Sequence, residues 1–290
     1  MLTREEFHSL LEKGPLLLDG ATGSNLQKMG MPKGCCTEEW VLNNPEALVK
    51  LQRSYAEAGS NIIYAPTFQA QPMALERMNL QNQCEAINAQ LVALSRAAAP
   101  GCLIAGDLTT LATFCDSWNP ENFDLLVENY RRQIRGLIDG GADLLIGETL
   151  LYQQEAEAIL TAAELEGAGA AMYTFTMQSD GALLSGADGG KVLRELEHAG
   201  AAAVGFNCVA ADMMTPYLVA KLRRYIKIPL ICKPNAGIPT INDQGIAVYS
   251  QTPEEFAGIM HQCLDNGAVL LGGCCGTSPK YIAAINDLRK

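Results

Sequence analysis

The chain has 290 residues, 48% of them hydrophobic and 18% charged, an ordinary globular composition with room for one large core or two small ones. Its net charge of −11 is spread over interspersed signs without a basic stripe, which argues against nucleic acid as a partner and reads as solubility. No apolar stretch reaches membrane-spanning length and the amino terminus, Met1-Leu2-Thr3-Arg4-Glu5-Glu6, lacks a signal-peptide pattern, so a cytoplasmic protein that meets no membrane is expected.

In chain order, Thr3 to Lys13 reads as a short helix placed to close the bottom of the fold. Apolar runs then recur at Leu16–Gly20, Asn61–Ala65, Leu103–Asp107, Leu144–Glu148, Ala171–Phe175, Ala202–Phe206, Pro229–Lys233 and Ala268–Gly272. Their starts lie 27 to 45 residues apart, enough for one helix and two loops between neighbours. Continuous apolar runs separated by helices specify parallel strands covered on their outer face.

The segments between the runs carry helix signals. Pro45 to Ala58 puts Leu48, Leu51 and Tyr55 on one face, and Gly59 follows as a stop. Thr252-Pro253-Glu254-Glu255 has the form of a capping box with proline in the first turn. Gly140-Gly141, Gly200 and Gly267 each stand just before a strand, where helices end. The run Ser185 to Gly190 is loop-like but too short for a linker.

Eight strand–helix units predict a (β/α)8 TIM barrel forming a single domain over residues 1–290. An open doubly wound sheet shares that periodicity. Asp19, Thr67, Asp107, Glu148, Cys208, Asn235 and the Cys274-Cys275 pair all fall at or just beyond the carboxyl ends of the runs. Only a barrel brings those ends to one mouth, where the chemistry of this fold is built.

Ten cysteines in a reducing compartment suggest metal or catalysis more than crosslinks. Cys208 closes Gly205-Phe206-Asn207-Cys208, and the vicinal pair sits in Gly272-Gly273-Cys274-Cys275-Gly276-Thr277. Consecutive strand residues point to opposite faces, so the flanking glycines must let the chain turn if both thiols are to aim at one point. Three converging thiolates would leave one tetrahedral position of a zinc ion (Zn2+) open, the pattern of a catalytic site, and a thiol substrate could fill it. A strained vicinal disulfide at Cys274-Cys275 is the rival reading. Cys35-Cys36, beside Gly34, could be a second metal or redox pair, while Cys84, Cys102, Cys115, Cys232 and Cys263 read as packing residues. His8, His198 and His261 fall on helices away from the strand ends.

Five blocks in order, Asp19-Gly20-Ala21-Thr22-Gly23, Glu148-Thr149, Gly205-Phe206-Asn207-Cys208, Pro234-Asn235-Ala236-Gly237 and Gly272 to Thr277, resemble the homocysteine S-methyltransferase family. That family includes betaine-dependent and S-methylmethionine-dependent enzymes and the homocysteine-binding module of cobalamin-dependent methionine synthase. The resemblance implies a methyltransferase of methionine biosynthesis, with zinc on Cys208, Cys274 and Cys275 and the sulfur of homocysteine as fourth ligand. It also implies that Asp19 and Glu148 hold the ammonium of homocysteine. The backbone of Gly20, Ala21, Thr22 and Gly23 would cradle its carboxylate, and Asn235 would orient metal or substrate.

The methyl donor stays open between a small methyl-onium compound and a methyl-corrinoid on a separate protein. A betaine enzyme would need an aromatic cage, to which Tyr64, Trp40 and Trp118 could contribute. The chain departs from the family on the rim, with Gly106-Asp107-Leu108-Thr109-Thr110-Leu111 in place of a Gly-Pro turn and Ala65-Pro66-Thr67-Phe68 in place of Thr-Asn-Thr-Phe. Two other classes compete: a Schiff-base lyase or aldolase using Lys233, and a non-catalytic zinc- or thiol-binding protein.

Overall fold

The structure, a computed structural model, describes residues 1–241 and 247–288. Among the described residues ten strands appear in chain order: β1 (Leu16–Leu17), β2 (Ile62–Tyr64), β3 (Leu103–Thr109), β4 (Leu144–Leu150), β5 (Ala171–Phe175), β6 (Ala203–Ala210), β7 (Leu230–Asn235), β8 (Pro239–Ile241), β9 (Ala247–Tyr249) and β10 (Ala268–Leu271). Eight of them form one parallel sheet in the order β1-β10-β7-β6-β5-β4-β3-β2, the expected (β/α)8 barrel. Each strand lies where its apolar run predicts, with ends shifted by up to four residues. The remaining two, β8 and β9, pair antiparallel as a hairpin beyond β7 that the sequence reading does not anticipate.

The seam between β1 and β2 explains why β1 is only two residues long. There the ladder is completed partly by side chains. Asn61 donates its N–H to the Leu17 carbonyl at 2.7 Å, and its Oδ1 accepts from the Leu17 N–H at 2.8 Å. One step further, Asp19 Oδ2 accepts from the Tyr64 N–H at 2.9 Å. The carboxylate thus occupies the place of a backbone carbonyl and is fixed at the mouth of the barrel.

Two apolar layers follow from strand alternation. Leu18, Ile62, Ala105, Ile146, Ile231 and Leu270 point into the barrel, while Leu17, Ile63, Ile104, Leu145, Val204 and Leu271 pack beneath the outer helices. The helix Arg4–Leu11, capped by Thr3 and Glu6 in a reciprocal box, places the fully buried Phe7 under the interior layer and so plugs the bottom. His8 Nε2 meets the Ala202 carbonyl at 2.7 Å in the same plug, whereas His198 and His261 are exposed. Leu48, Leu51 and Tyr55 are buried along the helix Pro45–Glu57, as their spacing predicts.

Pro253–Asp265 begins with the capping box read from the sequence: Thr252 Oγ1 accepts from the Glu255 N–H and Glu255 Oε2 accepts from the Thr252 N–H. Thr252→Ala removes one of these two bonds, and the expected loss is about 1 kcal/mol of unfolding free energy in urea titration, with the slope unchanged. Among the described residues no helix is long and apolar enough to cross a membrane.

Candidate active site

The charges at the mouth follow from the same alternation that builds the core. On β3 the inward position after Ala105 is Asp107, on β4 the one after Ile146 is Glu148, and on β7 the one after Ile231 is Lys233. With Asp19 and Tyr64 they line a cavity of about 410 Å³ whose other walls include Gly20 to Ser24, Glu38, Phe68, Thr149, Cys208, Cys274 and Cys275. Asp19, Asp107, Glu148 and Lys233 are all buried.

Lys233 organises this floor. Its Nζ donates to Glu148 Oε1 at 3.0 Å, lies 3.7 Å from Asp19 Oδ1, and stands 4.7 Å above the ring of Tyr64. Burial alone would drive the ammonium toward deprotonation, but Glu148 and Asp19 outweigh it and hold the amine well above the ordinary lysine value. A Schiff-base lysine needs the opposite, a depressed pKa that frees the amine, so this environment weighs against the lyase reading. Asp19 is pushed up to about 7, chiefly by burial and against the pull of Lys233. Asp107 is raised well above the usual carboxylate range by burial and the neighbouring Glu148.

Above the floor, the sulfur atoms of Cys208, Cys274 and Cys275 all lie within 4.8 Å of one another. Two local distortions aim them. β4 and β6 each carry one extra residue relative to their neighbours, between Gly147 and Leu150 and between Asn207 and Ala210. Inside these bulges Thr149 and Cys208 adopt left-handed backbone conformations, φ 58° and 57°, which is costly for side-chain-bearing residues and above all for a β-branched one. Asn207 spans the two bulges. It accepts the Thr149 N–H at 3.0 Å, donates to Thr149 Oγ1 at 2.6 Å and reaches Cys274 Sγ at 3.8 Å.

The glycines around the vicinal pair act differently from expectation. Only Gly276 has positive φ, 84°. Gly272 and Gly273 are needed for close packing, since a Cβ there would lie 2.7 Å from Leu18 Cβ and 2.5 Å from Thr277. Beyond β10 the chain is pinned by Cys274 N–H to the Pro234 carbonyl, Ala236 N–H to the Cys275 carbonyl and Thr277 Oγ1 to the Cys274 carbonyl. The three thiols interact strongly. Hydrogen bonds from Cys208 and Cys274 pull Cys275 down to about 3, and the same contacts push Cys208 up. Within the cluster, Cys275 is the thiol whose ionised form its neighbours favour. Tyr249, from the unanticipated hairpin, adds a further hydroxyl donor to Cys275.

Gly20, Ala21 and Thr22 line the cavity, but the Ala21 N–H is already donated to Thr277 Oγ1 at 3.1 Å, which leaves fewer free donors than the sequence suggests. Asn235 is buried and does not line the cavity; its backbone carbonyl accepts from Ala211 N–H, and its Oδ1 has no partner. Thr67 stands behind the wall, bonded through Oγ1 to the backbone of Asp107. Of the three aromatic residues that could contribute to a cage, only Tyr64 lines the cavity. Its ring carries Lys233, Trp40 packs against the outer core, and Trp118 is exposed. Cys36 Sγ donates to Glu38 Oε2 at 3.3 Å and Cys35 Sγ to the Pro32 carbonyl at 3.1 Å; among the described residues no third ligand joins them. Cys84, Cys102, Cys232 and Cys263 are buried packing residues, and Cys115 is half-buried against the core.

Asn207, Thr149, Asp107 and Tyr249 were not assigned roles from the sequence. Asn207 and Thr149 lie inside quoted motifs, so their position was visible though their clamp was not. Asp107 showed as an acid at a strand end, and Tyr249 gave no signal.

Comparison with known proteins adds a second line of support. The family model described as Homocysteine S-methyltransferase matches residues 16–288. Methionine synthase of Mycobacterium tuberculosis is 26% identical over 304 residues, covering 97% of this chain and 25% of that protein. This chain spans about a quarter of the length of the curated relatives it matches. The crystal structure of the homocysteine methyltransferase MmuM from Escherichia coli is 26% identical and covers 97% of this chain and 99% of that one. Its oxidized form superposes with a TM-score of 0.83 and its metallated form with 0.82.

Proposed function

The chain belongs to the homocysteine S-methyltransferase family, and from that premise we propose that residues 1–290 form one homocysteine-binding barrel that moves a methyl group to the thiol of homocysteine, giving methionine. The observation that carries the reading is the trio of sulfurs at the barrel mouth, within 4.8 Å of one another above a charged cavity.

Zinc fits this donor set. Tetrahedral bonds of about 2.3 Å separate thiolate sulfurs by roughly 3.8 Å, and sulfurs that lie within 4.8 Å of one another need to close by no more than about 1 Å to meet it. Cys208, Cys274 and Cys275, all of which line the cavity, would hold the ion. When bound there, zinc supplies the Lewis acidity that keeps a substrate thiol ionised at neutral pH, where a free thiol with a pKa of about 8.5 is mostly protonated.

The protein's own residues do the rest. The bulges at Thr149 and Cys208, locked by Asn207, fix the direction of the thiol cluster without help from ligand. The turn from Gly20 to Thr22, held by Asn25 and Tyr55 through the Ala21 carbonyl, faces the carboxylate of the amino acid. The cavity floor, where Asp107 stands beside the Asp19–Lys233–Glu148 cluster, faces its ammonium, and the sulfur end is thereby directed at the cysteines. Methyl transfer then requires the donor's methyl carbon in line with that sulfur, from the open side of the cavity. Because Tyr64 is engaged by Lys233 and neither Trp40 nor Trp118 lines the cavity, the site supports a sulfonium such as S-methylmethionine, or a methyl-corrinoid on a separate protein, over betaine.

The test is a donor panel on purified protein whose metal content has been measured. About one zinc per chain is expected, with methionine formed from homocysteine and one of S-methylmethionine, betaine, or methylcobalamin with and without a corrinoid protein. Zinc and homocysteine binding without transfer from any donor would leave a thiol carrier. A metal-free protein trapped by borohydride on a carbonyl substrate would leave the lyase.

A further inference from the structure

Resting on the homocysteine reading above, we propose that Asp107 is the specificity-determining residue that receives the ammonium group of the thiol substrate, because Lys233 already occupies the place between Asp19 and Glu148. In the family pattern those two carboxylates hold the ammonium. In this chain an internal ammonium sits between them, 3.0 Å from Glu148 and 3.7 Å from Asp19. A substrate cation entering the same gap would meet a like charge at contact distance in a buried setting, where such repulsion is poorly screened. The gap is filled, and the substrate's charge must go elsewhere.

Asp107 is the group left waiting. Its carboxylate is 5% exposed and lines the cavity, yet Oδ1 has no hydrogen-bond partner, and no cation lies within ion-pair distance among the described residues. A buried carboxylate without a donor is costly and calls for an explanation, of which an incoming ligand is the simplest. Its backbone is held rigidly. The Asp107 N–H donates to Thr67 Oγ1 at 3.0 Å, and its carbonyl accepts from Thr67 Oγ1 at 2.9 Å and from Gln133 Nε2 at 3.1 Å. All the fixed contacts go to the main chain, and the side chain is left free for the cavity. Asp107 on β3 adjoins Glu148 on β4, since Thr109 pairs with Glu148 in register, so the two acids face one volume.

The experiment compares two thiols on the zinc-loaded protein by calorimetry: L-homocysteine and 4-mercaptobutanoate, which differs by lacking the ammonium. Wild type is expected to favour homocysteine by about 10- to 100-fold, the range of one charge-assisted hydrogen bond. Asp107→Asn should erase that preference by weakening homocysteine alone, leaving the affinity for 4-mercaptobutanoate unchanged. Asp107→Ser serves as a second variant of different shape should the first fold poorly. A purely structural role would weaken both thiols together and overturns the proposal, as does a variant that keeps the wild-type preference. Equal binding of the two thiols by wild type also overturns it. Failure of wild type to bind either thiol removes instead the homocysteine reading on which the proposal stands.

Discussion

Replacing Cys208, Cys274 or Cys275 singly by serine is expected to strip tightly held zinc from the protein and abolish methionine formation. Zinc bound by four ligands in small domains is worth about 10–16 kcal/mol at neutral pH. One thiolate of the set therefore carries roughly 3–4 kcal/mol, a loss of about 10²- to 10³-fold in affinity per substitution. A competing chelator of known affinity measures it, with metal analysis after dialysis as the simpler readout. The fold should survive, because the three cysteines stand at the mouth and the core lies beneath them: Cys208 and Cys275 are half-buried, and the interior layer is built from Leu18, Ile146, Ile231 and their neighbours. Far-UV circular dichroism of each variant should match wild type. A serine variant that retains one zinc per chain and the wild-type rate would remove that cysteine from the ligand set.

The vicinal pair and the distant cysteine are expected to differ in one respect. Cys274 Sγ lies 3.8 Å from Asn207 Nδ2, and a Cβ on the adjacent Gly273 would lie 2.5 Å from Thr277, so the segment around Cys274 is tightly packed. Serine is smaller than cysteine and fits. Larger replacements at Cys274 would therefore confuse metal loss with misfolding, which is why serine is the informative choice.

The course of the main chain was legible in the sequence, because a parallel barrel buries both faces of each strand and writes eight apolar runs at helix-sized intervals. The thiol trio was legible for a related reason. Chain order fixes strand order, and carboxyl ends of strands converge only in a closed barrel, so Cys208 and Cys274 could be placed together from positions far apart. Register defects were not legible. The bulges at Thr149 and Cys208 depend on one extra residue per strand, which no local pattern announces, and Asn207 joins two elements that are 58 residues apart. Asn235 shows a related limit, since its position near the end of β7 does not tell whether its side chain lines the cavity, and it is buried outside the lining. The sequence leaves a nucleophilic Lys233 open as an alternative because its partners Asp19 and Glu148 come from other strands. The seam at β1, where Asp19 replaces a carbonyl, likewise appears only when β1 and β2 are brought side by side.

That partnership gives Lys233 a second consequence, for stability. Lys233→Met keeps the apolar stem and removes the charge, leaving Asp19 and Glu148 buried without their cation. Breaking a buried pair in this way costs about 3–5 kcal/mol at neutral pH, measured by urea unfolding. The pH dependence has a definite sign. Asp19, Glu148 and Asp107 all have folded-state pKa values raised by burial, Asp19 to about 7 from 3.8, so the folded protein binds more protons than the unfolded chain between those values. Stability from Asp19 is fully present below about pH 4 and is lost as pH rises through about 7, and the contributions of Glu148 and Asp107 have the same sign. Lys233 lowers all three, and its loss raises them further and stretches the window upward. The gap between variant and wild type should therefore widen from pH 5 to pH 8, by roughly 1.4 kcal/mol per pH unit for each additional proton retained in the folded state. A gap that is constant over this range would mean that Lys233 acts through packing alone. One that narrows would contradict the charge arrangement at the floor of the cavity.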